Sequence, residues 1–273
     1  MAPPSRTKFT VPKLFEYKKT GQLISMVTAY DATFAALADL AGVDVILVGD
    51  SVGMVLQGKK NTLSVTMEQM TYHTRMVASA RTSSLIVGDM PFGSYQTCHK
   101  DAITNAVQLI QSGAEVVKLE GGIHLADTVE AIVEMDIPVM GHVGLTPQSY
   151  HRMGGNRIQG RSEGNVAGSR QRVIEDALAI EAAGACALVL EGIPIDVAET
   201  ITQQLSIPTI GIGAGPHCDG QVLVLHDVLG LSEKQFTFSK AYGNVRNQVV
   251  DALSAYVKDV HTRTWPDEDH SFR

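Results

Sequence analysis

Val45-Ile46-Leu47-Val48-Gly49-Asp50-Ser51 is a short apolar run, rich in β-branched residues, that stops abruptly in Gly-Asp-Ser. A run of that length, bounded by a turn signal, reads as a fully buried parallel strand. A carboxylate at the end of such a strand needs a reason, because a buried charge without a partner is costly. The same grammar recurs along the chain. Leu85-Ile86-Val87-Gly88-Asp89 ends in aspartate, and Val116-Val117-Lys118-Leu119-Glu120-Gly121 ends in glutamate. Met140-Gly141-His142 closes another run, and Leu188-Val189-Leu190-Glu191-Gly192 ends in glutamate again. In α/β folds the carboxyl edge of the sheet is where ligands bind.

Working outward, eight apolar runs alternate with helical patterns. Strands are expected at about 24–28, 45–49, 85–89, 116–120, 139–143, 187–191, 209–212 and, more weakly, 222–225. Residues up to about Thr10 read as loose. A short helix follows from Val11 to Thr20, with Pro12 near its start and Gly21 past its end. Asp31 is placed to cap a helix whose buried face is Phe34, Leu37, Ala38 and Ala41. Thr66 is placed to cap another, and the last helix is expected at about 239–260. The longest irregular segment spans 144–168. The pattern fits an α/β chain folded as a single (β/α)8 barrel over residues 1–273, with an N-terminal helix before the first strand, and its length suits that fold. An open doubly wound sheet is the alternative, but it does not naturally bring so many strand ends to one rim.

Composition narrows the function classes. The 273 residues are 44% hydrophobic and 19% charged, which is globular rather than disordered. Net charge is −7 with no basic stripe, so no nucleic-acid partner is expected. Cys98, Cys186 and Cys218 fall in no metal or redox spacing, which predicts free thiols in a reducing, cytoplasmic setting. The first residues lack the apolar segment of a secretory signal, and no run approaches the roughly 18 apolar residues of a membrane span.

The strand ends carry the chemistry. Asp50, Asp89 and Glu120 lie one βα unit apart, and three carboxylates converging on one rim would repel each other. A hard divalent cation removes the repulsion, and Mg²⁺ suits oxygen ligands with positions left for water or substrate. Unrelated helix caps or surface acids are the bland alternative. Lys118 and Glu120 share a strand face with Val116. Lys118 is therefore either an internal salt bridge or a cation that holds a substrate carboxylate or enolate oxygen. Glu191 lies 71 residues beyond Glu120, which suggests the other side of the ring, free to act as a general base. A fourth acidic ligand or a helix cap is its rival role. His142 either shuttles protons and binds substrate or is a hydrogen-bonded core histidine. Gly211-Ile212-Gly213-Ala214-Gly215 has the wrong spacing for a dinucleotide fingerprint and reads as a tight βα turn, with a phosphate contact as the other option. The 144–168 segment holds Arg152, Arg157 and Arg161 among glycines and reads as a lid or a solvated loop.

These residues resemble the ketopantoate hydroxymethyltransferase family. The resemblance rests on Thr28-Ala29-Tyr30-Asp31, Leu47-Val48-Gly49-Asp50-Ser51, Asp89-Met90-Pro91-Phe92, Val117-Lys118-Leu119-Glu120-Gly121-Gly122 and Gly141-His142-Val143-Gly144-Leu145-Thr146-Pro147-Gln148-Ser149, with Gln159-Gly160-Arg161, Ile210-Gly211-Ile212-Gly213-Ala214-Gly215 and Asp219-Gly220-Gln221. It covers about residues 11–230. Val52 stands where the family motif has leucine, which touches nothing catalytic. The resemblance implies a Mg²⁺-dependent barrel enzyme of pantothenate, hence coenzyme A, biosynthesis. Such an enzyme moves a hydroxymethyl group from 5,10-methylenetetrahydrofolate to 3-methyl-2-oxobutanoate. By similarity, Asp50, Asp89 and Glu120 take metal positions, and Asp50, Ser51, Asp89 and Lys118 take substrate positions. Glu191 takes the general-base position. A cytoplasmic homo-oligomer, commonly a decamer, is also implied, with a 2-oxo acid and a folate as its small-molecule partners and no membrane. Barrels of the isocitrate lyase and phosphoenolpyruvate mutase type, lyases or mutases of 2-oxo acids, are the rival, but their lyases carry a Lys-Lys-Cys-Gly-His signature that this chain lacks. A non-enzymatic metal scaffold would leave Lys118 and Glu191 without a task.

Overall fold

Eight parallel strands close on themselves in chain order in the computed structural model, which describes residues 6–164 and 166–272. They are β1 (Ile24–Thr28), β2 (Val45–Val48), β3 (Leu85–Asp89), β4 (Val116–Lys118), β5 (Val139–Gly144), β6 (Ala187–Glu191), β7 (Thr209–Ile212) and β8 (Gly220–Leu223). β8 pairs with both β7 and β1, which removes the sheet edges. The fold is the (β/α)8 barrel that the alternating runs predict. Two strands are displaced from expectation. β4 ends at Lys118, so Glu120 sits just beyond the ladder, and β8 starts two residues early, at Gly220.

The inward-facing residues follow period two. Met26, Val45, Leu47, Leu85, Val87, Val116, Met140, Ala187, Val189, Ile210 and Val222 form one core cluster inside the ring. One step further toward the carboxyl ends, the same inward positions are Asp89 after Val87, Lys118 after Val116, His142 after Met140 and Glu191 after Val189. The apolar layer therefore stops at one level around the ring, and a polar layer begins there.

The opposite end is closed by α1 (Val11–Thr20). Pro12 lies in its first turn, and Gly21 ends it at φ 70°, a left-handed position that glycine accepts without strain. Phe9 and Leu14 join the core cluster, and the Phe9 and Tyr17 rings meet edge to face at 5.1 Å. Residues 6–10 are not loose as expected. The Phe9 amide donates to Ser83 O at 2.7 Å, and the Arg6 guanidinium pairs with Asp44. Residues 1–5 lie outside the described residues. Burial of Phe9 supplies the anchoring that the polar flanks conceal. Acids at this end serve the backbone: Asp219 accepts from Thr209 N–H at 2.8 Å and from Lys18 Nζ at 2.9 Å. Such contacts are the stabilising role expected of the amino-terminal face of a barrel.

The remaining helices of this unit are α2 (Ala32–Leu40), α3 (Val52–Val55), α4 (Met67–Ser79), α5 (His99–Gln111), α6 (Ala126–Val133), α7 (Tyr150–Met153), α8 (Arg170–Ala182) and α9 (Ile195–Gln204). Asp31 caps α2 by accepting from Phe34 N–H, and Thr66 caps α4 in a reciprocal box with Gln69. The buried face of α2 differs from expectation. Ala35 and Ala38 are buried, whereas Leu37 is 53% exposed. Small side chains let a helix approach its neighbours closely, so the alanines and not the larger residues set the contact. The 144–168 segment is not wholly irregular. It contains a 3₁₀ turn, Pro147–Ser149, followed by α7; Asn165 lies outside the described residues. Gly213 (φ 61°) and Gly215 (φ 81°) make the turn after β7, and Gly215 O accepts from Gln221 Nε2.

The chain separates into two compact units, Met1–Val224 and Leu225–Arg273. The second holds α10 (Leu225–Val228) and α11 (Val245–Thr262), the latter starting later than the expected 239. Phe236 and Phe238 stack ahead of it at 5.3 Å. The three cysteines are free thiols, and burial pushes Cys186 up to about 12. Among the described residues no helix is long and apolar enough to cross a membrane.

Candidate active site

The polar layer above the core gathers on the carboxyl ends of β2 to β6. Asp50 follows β2, Asp89 ends β3, Lys118 ends β4 and Glu120 lies two residues further on. Asp50, Asp89 and Glu120 are all buried, and each offers a carboxylate oxygen within 4.8 Å of the other two. Lys118 Nζ enters the same group, 2.8 Å from Asp89 Oδ1 and 3.4 Å from Glu120 Oε1. Burial and then the facing Asp89 carboxylate drive Asp50 well above the ordinary carboxylate range. Burial also raises Asp89, although Lys118 opposes it. Glu120 goes the other way: against its burial, Lys118 and His142 hold it down at about 2. Lys118 is held above its usual value, because its three acidic neighbours outweigh the cost of burying the ammonium.

One buried ammonium, with the His142 imidazole beyond Glu120, thus faces three buried carboxylates. A further positive charge at the point the carboxylates share would relieve the remaining imbalance. All the convergent donors there are hard oxygens, the donor set of a divalent cation such as Mg²⁺ or Ca²⁺ and not of a soft metal. The residues fit a cation on that chemistry.

His142, on β5, extends the network sideways. Its Nδ1 lies 3.4 Å from Glu120 Oε1 and its Nε2 3.3 Å from Glu191 Oε2, ion-pair range without hydrogen-bond alignment. Burial disfavours the imidazolium, but Glu120 and Glu191 outweigh it and raise His142 to about 9. Glu191 is therefore not across the ring from Glu120. It stands two strands away, with His142 between them. Its side chain is 19% exposed, against 2% for Glu120, so it is the acid that opens to the rim. Ser51 lies on the same rim, with its Oγ 2.9 Å from the Tyr30 hydroxyl.

Two neutral residues escape a search for charged strand ends. Gln148, in the 3₁₀ turn after β5, donates its amide Nε2 to Asp50 Oδ2 and to Met90 O, both at 3.0 Å, and its backbone N–H to Glu120 Oε2 at 3.0 Å. Tyr95 donates its hydroxyl to Gln148 Oε1 at 2.6 Å and accepts from Glu120 N–H at 3.1 Å. Both are buried and hold two of the three carboxylates in place. The only sequence signal for Gln148 was its place in the Thr146-Pro147-Gln148-Ser149 motif, and Tyr95 had none.

Residues 8–268 match the sequence profile of ketopantoate hydroxymethyltransferase. This chain belongs to the ketopantoate hydroxymethyltransferase family. It is 56% identical over 267 residues to a 3-methyl-2-oxobutanoate hydroxymethyltransferase of Geobacter metallireducens, covering 97% of this chain and 98% of that protein. It is 51% identical over 263 residues to the protein of that name from Pyrococcus abyssi, covering 96% and 92%. Among solved structures it resembles phosphonopyruvate hydrolase, with TM-score 0.61 and 15% identity over 98% of this chain and 92% of that one. It also resembles phosphoenolpyruvate phosphomutase from Streptomyces platensis subsp. rosaceus, with TM-score 0.63 and 15% identity over 97% and 92%. At that identity the two structures speak for the barrel alone.

Proposed function

We propose that this chain is a 3-methyl-2-oxobutanoate hydroxymethyltransferase acting in pantothenate biosynthesis, with 5,10-methylenetetrahydrofolate as one-carbon donor. The observation that carries the chemistry is the division of the rim into two functions: three carboxylates converge around Lys118, while Glu191 stands apart and meets them only through His142. A convergent oxygen cluster suits a bound 2-oxo acid, and a separate, partly exposed carboxylate suits proton abstraction. Asp50, Asp89 and Glu120 would hold Mg²⁺, which when bound draws electron density from the substrate's keto oxygen and acidifies its C3–H.

The chain's own residues do the rest. Lys118 presents its ammonium to the negative charge that develops on the keto oxygen. Ser51 offers a hydroxyl at the rim to the substrate. Glu191 takes the C3 proton, and His142 holds that carboxylate in place. C3 then bonds to the one-carbon unit, which leaves the nitrogens of the folate. The folate methylene carries no oxygen, so water supplies the oxygen of the new hydroxymethyl group, and the C3 proton together with one proton of that water replaces the two broken carbon–nitrogen bonds on the folate nitrogens. We place the enzyme in the cytoplasm as a homo-oligomer, a decamer, on the strength of its family.

The test is an assay of purified protein with 3-methyl-2-oxobutanoate, 5,10-methylenetetrahydrofolate and Mg²⁺, alongside exchange of the C3 hydrogen in deuterated water. Both reactions are expected. Exchange or cleavage of other 2-oxo acids, with no hydroxymethyl transfer to this one, would move the chain to lyase or mutase chemistry.

A further inference from the structure

Beside the charged cluster lies a cavity of about 240 Å³ that the proposed chemistry leaves unused. Its inner wall begins at Gly121, next in the chain to Glu120, and at Gly144 and Thr146, just past His142. Its other walls carry His124, Arg152 from α7, and Arg172 with Asp176 from α8. None of the clustered acids lines this cavity; it adjoins them through the backbone at Gly121 and Gly144 and carries two guanidinium groups on its other walls.

The charges are uneven. Arg172 Nε lies 3.5 Å from Asp176 Oδ1, and Asp176 also accepts from Ile123 N–H at 2.9 Å, so that acid is committed. Arg152 donates to Ser149 Oγ at 3.3 Å and forms no ion pair among the described residues. Burial, followed by the guanidinium of Arg152, holds His124 below its ordinary value, so the ring adds no acidic partner and little charge. One more group is unsatisfied: Thr146 lines the cavity, is 4% exposed, and its hydroxyl has no hydrogen-bond partner. A planar guanidinium without a carboxylate, in the same cavity as an unpartnered hydroxyl, is suited to an incoming carboxylate.

Size limits what enters. Pockets that enclose a whole drug-sized molecule run to roughly 300–1,000 Å³, so this cavity takes a segment of a ligand whose remainder lies outside. The small oxo acid is accounted for by the carboxylate cluster. The second substrate is long, carries its reactive carbon at one part and carboxylates at its end, and must reach C3 from close by.

Resting on the function proposed above, we infer that this cavity seats the aryl-glutamyl segment of the one-carbon carrier, with Arg152 binding its carboxylate. Gly121 and Gly144 keep the inner wall free of side chains; a Cβ on Gly144 would lie 2.4 Å from Glu191 O, at a φ of 94° that side chains rarely adopt. The carrier thereby approaches along the Glu191 side of the cluster.

The experiment compares wild-type protein with Arg152→Gln and Arg152→Lys. KM is measured separately for 5,10-methylenetetrahydrofolate and for 3-methyl-2-oxobutanoate, and p-aminobenzoylglutamate is titrated as an inhibitor. Arg152→Gln is expected to raise the carrier KM by roughly 10- to 100-fold, the loss of one charge-assisted contact, and to weaken the inhibitor in parallel. The oxo-acid KM is expected to stay within about twofold, and Arg152→Lys to recover part of the loss. If wild type exchanges C3 hydrogen and transfers the hydroxymethyl group but Arg152→Gln matches it in carrier KM and inhibition, this inference is overturned alone. A wild type that does neither overturns the functional reading and this inference with it.

Discussion

Asp89 and Lys118 are register partners on adjacent strands, and their side chains meet at 2.8 Å above the last apolar layer of the barrel. The ladder itself sets this ion pair. Any cation that binds Asp89 must share its carboxylate with Lys118, so lysine and metal work on one electrostatic balance. Lys118→Met keeps most of the stem and removes the charge. We expect kcat/KM to fall by about 2–4 kcal/mol, the range for a lost oxyanion-type donor. The apo protein should also lose thermal stability, because three buried carboxylates then face no ammonium. Steady-state kinetics and thermal melts check both.

Removing the cation should act in the same direction. EDTA is expected to abolish turnover and Mg²⁺ to restore it. At a metal concentration about 100-fold above Kd, the melt should shift by the equivalent of about 2.7 kcal/mol. Asp89→Asn exchanges a charged ligand for a neutral amide and should shrink that shift. Full activity in rigorously metal-free buffer would remove the metal from the reading.

Glu191→Gln preserves shape but not the proton acceptor. The variant should still bind Mg²⁺ and 3-methyl-2-oxobutanoate, because the residues proposed to hold them lie on or just past β2 to β4. It should lose C3 exchange in deuterated water by roughly 10²–10⁴-fold, the usual share of a general base. Intact exchange with failed transfer would assign Glu191 to the folate half of the reaction. Lost Mg²⁺ binding would instead make it a ligand.

Gln148→Leu tests the neutral support. It strips Asp50 and the Tyr95 hydroxyl of buried partners, each worth about 1–3 kcal/mol when left unsatisfied. Urea denaturation should show that loss. Tyr95→Phe, which leaves Gln148 bound to Asp50 and Met90 O, should cost less.

At the closed end of the barrel, Phe9→Ala should cost about 3–5 kcal/mol in stability through the cavity it opens. The kcat of the remaining folded protein should be unchanged, because Phe9 packs below the apolar layers and the chemistry lies above them. A fall in kcat at constant folded fraction would link the two ends of the barrel.

What could be read beforehand follows from how each residue announces itself. Val45 to Asp50 and its repeats were legible because a short β-branched run ending in an acid violates the burial rule unless the acid has work to do. Period two then placed Lys118 and Glu120 on one strand face with Val116. Sequence distance misled for Glu191: the 71 residues from Glu120 include a long segment after β5, so they span two strands and not half the ring. Gln148 and Tyr95 lie in segments without periodicity, and neutral polar side chains there look like any loop residue. Phe9 sits among polar neighbours, and only the barrel floor reveals its burial. Leu37 reads as core by hydropathy, yet alanines make the closer helix contact.

The amide of Gln148 also biases where a proton sits. Its Nε2 faces two acceptors, Asp50 Oδ2 and Met90 O, while its Oε1 faces the Tyr95 hydroxyl and Gln96 Nε2. Turning the amide over would set donor against donor and acceptor against acceptor, so its orientation is locked. Asp50 Oδ2 must then keep a lone pair toward Gln148. If Asp50 carries the proton that its surroundings favour, the contact from Gln148 biases that proton toward Oδ1. The two oxygens of one carboxylate are thus made chemically unequal by a residue that never ionises.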